Sequence, residues 1–280
     1  MTAQKRSRRL FKLLLMVFLS IIQLYPLLWM LSSSFKPNAE IFQNLSLIPQ
    51  TFTLENYSKG WGGVSGIGFG AYLWNTFFLS VLCIAGNLFS CSLAAYAFGR
   101  LNFRLKNLLF AVMFSTIMLP SHVVMIPQYI IYTQFNWINT YLPLIVPKFF
   151  ATDVFFIYLM TQFIRGLPKE LDQAAIVDGC GRVQVFYKII LPLIVPAIAT
   201  TSIFTFIWTW NDFMTQLIYI NTPHKFTVSQ GLRAFVDASS QSSYGALFAM
   251  SVVSLLPVFF IFLIFQRYLV DGIATTGMKG

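Results

Sequence analysis

Six long apolar stretches, near residues 13–32, 73–95, 107–131, 140–163, 190–213 and 245–266, alternate with polar segments along the chain. A helix needs about 20 mostly apolar residues to cross roughly 30 Å of hydrocarbon. The runs lack the short alternation of an outer-membrane barrel, and an open sheet in lipid would leave its edge groups unpaired. The pattern therefore predicts an all-α membrane protein with six transmembrane helices. Residues 1–12 precede a transmembrane domain over 13–266, and 267–280 form a tail.

The first run follows a charged start, as in a signal peptide, but is longer than the usual apolar region of one; it reads as an uncleaved span. Between runs one and two, the polar segment 33–72 reads as an ordered loop, glycine-rich from Gly62 to Gly70. Gly66, Gly68 and Ala71 there imitate a dinucleotide fingerprint, but no βαβ unit surrounds them. The second polar excursion, 214–244, is rich in Ser, Thr, Asn and Gln, and fits either a soluble partner or a solvated loop. Pro120, Pro127, Pro143, Pro147, Pro192, Pro196 and Pro257 fall inside apolar runs. Each removes a backbone donor, so it either kinks its helix or is tolerated where neighbours satisfy the freed carbonyl.

Composition agrees, with 57% apolar and 10% charged residues against roughly 25% charged in soluble domains. The net charge of +10 would suggest nucleic acid, but its distribution gives another reason. Fourteen Lys and Arg lie in the N-terminal segment, after the second run, between the fourth and fifth, and after the sixth, against four in the opposite loops. The positive-inside rule places both termini and the 166–189 loop in the cytoplasm. Basicity then records topology, and no nucleic-acid partner is expected. Cys83 and Cys91 sit within a span and Cys180 in a loop, which gives neither a disulfide framework nor a zinc spacing. No metal site is expected.

The loop from Gly166 to Pro192 divides into two helical patterns. Pro168 suits a first helical turn, Glu170 and Asp172 suit the positive end of the helix dipole, and Gly179 is a stop. The first helix should cover Lys169 to Asp178, with Leu171, Ala174 and Ala175 on one face; Val183, Phe186, Tyr187 and Ile190 follow the helical period after the break. A helix of about ten residues is marginal alone in water, and this one is too polar for lipid. It therefore needs a packing partner.

Gln173, Ala174, Ala175, Gly179, Ile189, Leu191 and Pro192 hold the spacing of the EAA motif, and the loop resembles that of the ATP-binding-cassette (ABC) importer permeases. Gln173 departs from the usual glutamate of that family, yet keeps helix compatibility and hydrogen-bonding capacity. The stretch Trp208 to Phe213 resembles a Trp-Asn-Asp-Phe segment of the sugar-type permeases, and Asp271 to Gly280 resembles their glycine-rich ending. From about residue 10 onward, order and spacing resemble the second, six-span permease of oligosaccharide importers of the maltose type.

The resemblance implies the ABC-importer permease fold and a translocation subunit for a sugar or oligosaccharide, with no catalytic residue. Its location would be the cytoplasmic membrane of a bacterium or archaeon. The implied partners are a second permease of six or more spans in a heterodimer, two ATPase subunits, an extracytoplasmic solute-binding protein and membrane lipid. No P-loop occurs, since Gly272 to Gly277 runs into Met278 before Lys279, so no cofactor is expected in this chain; ATP and Mg would be bound by the ATPases. The coupling contact would comprise Pro168, Glu170, Leu171, Gln173, Ala174, Ala175, Asp178, Gly179 and Phe186. Gly277, Lys279 and Gly280 would form a C-terminal ATPase contact.

For the substrate path, Trp208, Asn211 and Asp212 stand at i, i+3 and i+4, one helical face combining an aromatic, an amide and a carboxylate. An interfacial belt would use the same residues. Asp153 is a further candidate, because a charge inside a span should face protein or water. Lys148 lies five residues before it, about 140° away on an ideal helix and poorly placed to pair with it; a later helix start would put Lys148 at the interface. The alternatives are a glycerol-phosphate or polyol importer permease, which would want more cations along the path, a stand-alone secondary transporter or channel, and a membrane scaffold.

Overall fold

The computed structural model describes residues 3–237 and 243–277, and every regular element among them is helical. α1 (Ala3–Ser33) enters a loop holding the short α2 (Asn38–Ile41) and α3 (Glu55–Gly62). α4 (Phe69–Arg100) is followed by α5 (Lys106–Ser115), a 3₁₀ turn (Thr116–Met118) and α6 (Ser121–Gln134). α7 (Leu142–Ile145) and a 3₁₀ stretch (Val146–Phe150) precede α8 (Val154–Gly166). Then come α9 (Glu170–Val177), α10 (Arg182–Val185), a π-helical turn (Phe186–Ile190) and α11 (Leu191–Leu193). α12 (Val195–Asn211), α13 (Met214–Tyr219), α14 (Val228–Asp237) and α15 (Tyr244–Gly277) complete the chain.

Among the described residues, four stretches are helical and apolar enough to cross a bilayer: Arg9–Ser33, Phe69–Arg100, Leu142–Gly166 and Tyr244–Arg267. The number is six if Lys106–Met118 with His122–Gln134, and Arg182–Leu193 with Val195–Asn211, each form one span, bent by 102° and 75°. Proline chemistry accounts for both bends. Leu119 is extended (ψ 121°), as the residue before Pro120 must be, and Pro120 caps α6. The second bend falls at Ile194 (φ −97°, ψ 19°), just before Pro196, which sits in the first turn of α12 and has no N–H to carry the α ladder across the break. Pro127 and Pro257, by contrast, sit inside continuous helices.

The chain divides into two compact units, residues 1–71 with 231–256 and residues 72–230 with 257–280. In the first, the apolar side chains of α1 from Leu10 to Leu28 point outward, an arrangement that only lipid or another membrane chain stabilises. Its 33–62 segment is folded around the fully buried Lys36, whose ammonium donates to Asn44 O (2.8 Å) and Ser46 O (2.5 Å). Asn56 Nδ2 donates to Ser34 O and Lys36 O, and Asn38 Oδ1 accepts from Gly245 N–H.

Among the described residues, the second unit holds two apolar cores. One joins Cys91, Ala95, Tyr96, Met160, Ile164, Ala175, Ile190 and Ala197; the other joins Leu79, Cys83, Leu144, Tyr219 and Ile220. Small residues set the distances: a Cβ at Gly99 would lie 2.6 Å from Ile164 Cγ2, and one at Gly86 2.8 Å from the Phe149 ring. The polar 214–230 segment is not a solvated loop. Gln216 and Thr227 are buried and hydrogen-bonded to each other, and Gln230 Nε2 donates to Ile220 O.

Candidate functional site

The loop between α8 and α12 is held by the last turns of α4. The Arg100 guanidinium is almost fully buried; its Nε lies 2.9 Å from Asp172 Oδ2, and its Nη2 donates to Leu167 O (2.9 Å) and Pro168 O (3.2 Å). One turn earlier, Tyr96 OH donates to Arg182 O (3.0 Å) and its ring packs on Phe186 at 5.2 Å. Helix α4 therefore grips both arms of the loop. Sequence reasoning gave Arg100 only to topology and Asp172 only to the helix dipole. The missed signal was a lone Arg ending a long apolar helix, with a carboxylate far away in sequence.

α9 ends as its sequence requires. Gly179 takes φ +83°, Gly179 N–H bonds Ile176 O, and Cys180 N–H bonds Ala175 O, the paired bonds of a Schellman cap. The nominated residues do not share one environment. Pro168, Glu170, Leu171, Gln173, Ala174, Asp178 and Gly179 are exposed, Ala175 is buried in the core, and Phe186 is half-buried against Tyr96. Ile176 and Val177, 58% and 87% exposed, extend the open face and were not nominated. Gly277 is the last residue of α15; Lys279 and Gly280 lie outside the described residues.

Also in the second unit is a cavity of about 800 Å³ into which Trp208, Asn211, Asp212 and Asp153 all open. α12 stops at Asn211, and Asp212 is extended, its Oδ1 accepting the Thr215 N–H at 3.1 Å. Trp208 stacks on Phe156 at 5.1 Å and stays half-exposed. Gln128, Tyr132, Thr152, Thr215, Gln216 and Tyr219 add polar groups that sequence reasoning had not assembled, because the bends that bring them together have no pattern of their own.

The expected separation of Lys148 and Asp153 is corrected. Their side chains form an ion pair at 2.8 Å inside the cavity. The 140° offset assumed a continuous helix, but the chain breaks here: Ala151 is left-handed (φ 55°) and Asp153 stands before α8. α4 braces the break through Ser90 Oγ, which donates to Lys148 O at 2.6 Å.

Residues 86–275 match the family model described as binding-protein-dependent transport system inner membrane component. The chain is 34% identical over 265 residues to a probable ABC transporter permease, YurM of Bacillus subtilis, covering 94% of this chain and 87% of that one. It is 32% identical to the arabinooligosaccharides permease AraQ of Halalkalibacterium halodurans, covering 94% of each. A chain from the crystal structure of a bacterial ABC transporter importing the acidic polysaccharide alginate superposes with TM-score 0.84 over 96% of this chain and 98% of that one. At 20% identity it carries the fold alone.

Proposed function

The chain belongs to the family of binding-protein-dependent transport system inner membrane components, and from that premise we propose that it is the permease subunit of an ABC importer carrying a sugar or oligosaccharide into the cell. It is a membrane translocation component, and the arabinooligosaccharide transport of a relative supports the carbohydrate class. The observation carrying the mechanism is the loop that α4 clamps at Arg100 and Tyr96: a short helix fixed from behind, with an apolar face open in front.

In this reading the two bent pairs are each one span, giving six. The excess of basic residues puts both termini and the 166–189 loop in the cytoplasm. Leu171, Ala174, Ile176, Val177, Asp178 and Gly179 face a groove on an ATPase, while Ala175 and Phe186 position the helix from within this chain. Two ATPase subunits bind ATP and Mg, a second permease covers outward apolar surface, and a solute-binding protein delivers substrate outside. Gly277, Lys279 and Gly280 add a tail contact. The cavity with Trp208, Asn211, Asp212 and Asp153 lies on the substrate path. Its aromatic face and hydrogen-bonding groups suit a sugar, whose C–H faces pack on rings while its hydroxyls bond amides and carboxylates.

Purification of the tagged chain from its native cell, followed by reconstitution, tests the proposal. Two ATPase chains and a second permease should co-purify, and the vesicles should accumulate labelled mono- or oligosaccharide only with ATP and the solute-binding protein. Accumulation without nucleotide, or a chain that purifies alone in functional form, would sink it.

A further inference from the structure

The charges in the cavity say more about the solute than its shape does. Lys148 is the only cationic side chain among the described residues lining it, and its ammonium is taken up at 2.8 Å by Asp153. Asp212 supplies a second carboxylate on the same wall. The remaining polar lining groups are neutral, with Asn211, Gln128 and Thr152 among them. The lining therefore never carries a net positive charge, with Asp212 ionised or protonated.

We propose that this cavity selects uncharged saccharides and rejects those bearing carboxylate or phosphate groups, with Asp212 and the Lys148–Asp153 pair as the specificity-determining residues. The inference rests on the importer reading and deepens it. An anionic solute would meet Asp212 without an unpaired cation to offset it. To recruit Lys148 it must expel Asp153, leaving that carboxylate unpaired in a half-buried site; the gain of one contact is cancelled by the loss of another. An uncharged sugar faces no such penalty. Its hydroxyls donate to the carboxylate oxygens and accept from the Asn211 and Gln128 amides, and one ring face can lie on the half-exposed Trp208 indole. A glycerol-phosphate solute is disfavoured by the same ledger of charges.

One reporter tests both halves of the argument. Ile207→Cys, in a chain with Cys83→Ala, Cys91→Ala and Cys180→Ala, puts a thiol on the same cavity wall as Asp212 at a position that makes no hydrogen bond to the sugar. In the assembled transporter, the cationic trimethylammonium-ethyl methanethiosulfonate should modify it about tenfold faster than the anionic sulfonato-ethyl reagent, after correction for their rates with a free thiol. Asp212→Asn should shrink that ratio, and Asp212→Lys should reverse it. Neutral trisaccharides such as arabinotriose, galactotriose and maltotriose are then tried as protectants against N-ethylmaleimide, which is uncharged. At least one should slow labelling, whereas trigalacturonate at equal concentration should not. Equal rates for the two charged reagents, or protection by trigalacturonate as good as that by the best neutral sugar, overturn the proposal. If no sugar protects while the reagent bias persists, the saccharide reading itself has failed and the inference falls with it.

Discussion

Gly179 separates a backbone requirement from a surface requirement. Its φ of +83° disfavours any residue with a Cβ, by about 1 kcal/mol for alanine, and asparagine tolerates the left-handed region best. A Cβ built at Gly179 meets nothing of this chain within 4 Å. Gly179→Asn should therefore leave the melting temperature of the isolated subunit nearly unchanged, yet lower ATP-driven uptake by about tenfold or more, because the added side chain would enter the partner's groove. Uptake unaltered at equal assembly would place that groove elsewhere. At the other end of the residue scale, Glu40 is a fastener sensitive to pH. Its carboxylate accepts the Gln50 N–H at 2.7 Å, the Thr51 N–H at 3.2 Å and the Asn44 amide at 3.2 Å. The Gln50 bond above all holds its pKa below 4.5. A depressed folded-state pKa stabilises the loop above the unfolded value and loses that support as pH falls through the folded one. Exchange of the Gln50 and Thr51 amides should accelerate below about pH 4.5 beyond the intrinsic pH trend, and Glu40→Gln should abolish the excess.

At the scale of elements, α4 is the member that touches both candidate sites. Its C-terminal turns hold the loop through Arg100 and Tyr96; its middle supplies Leu79 and Cys83 to the cavity and braces the Lys148–Asp153 break through Ser90. In the proposed mechanism a displacement of α9 would reach the cavity wall along this one continuous helix. Arg100→Ala should preserve ATPase activity of the assembled complex within about twofold while reducing solute moved per ATP several-fold, and Arg100→Lys, which keeps the charge but loses the fork, should fall between. Loss of assembly and ATPase together would instead mark Arg100 as a fold determinant. Much of this element was readable beforehand: the apolar run gave the helix, and Pro168, Glu170 and Gly179 gave α9 nearly to the residue, since local chemistry fixes them. The clamp was not readable, because Arg100 and Asp172 are distant in sequence and no local pattern records their meeting. The Lys148–Asp153 pair was read wrongly for a related reason: Ala151 in a left-handed conformation has no sequence signature, and a helix assumed continuous rotates the two charges apart.

On the scale of the whole molecule, the distribution of Lys and Arg and the unequal exposure of the three cysteines make orientation testable without engineering. Cys83 and Cys91 are 1% and 0% exposed, and their thiols sit against carbonyls of Leu144 and Asp153, whereas Cys180, just past the Gly179 turn, is half-buried. An impermeant thiol reagent should therefore modify Cys180 first. Under the proposed topology, with fourteen basic residues on its side of the membrane against four on the other, that side is the cytoplasm. Labelling should consequently be slow in right-side-out vesicles and rapid in inverted ones from cells lacking the ATPase subunits. Adding back purified ATPase should then protect Cys180, since the residue follows directly on the face assigned to docking. Rapid labelling in right-side-out vesicles would invert the topology, and labelling indifferent to ATPase would detach the loop from its proposed partner. Stoichiometry distinguishes the sites: one thiol per chain in the folded protein, rising to three only after denaturation, is what the burial of Cys83 and Cys91 requires.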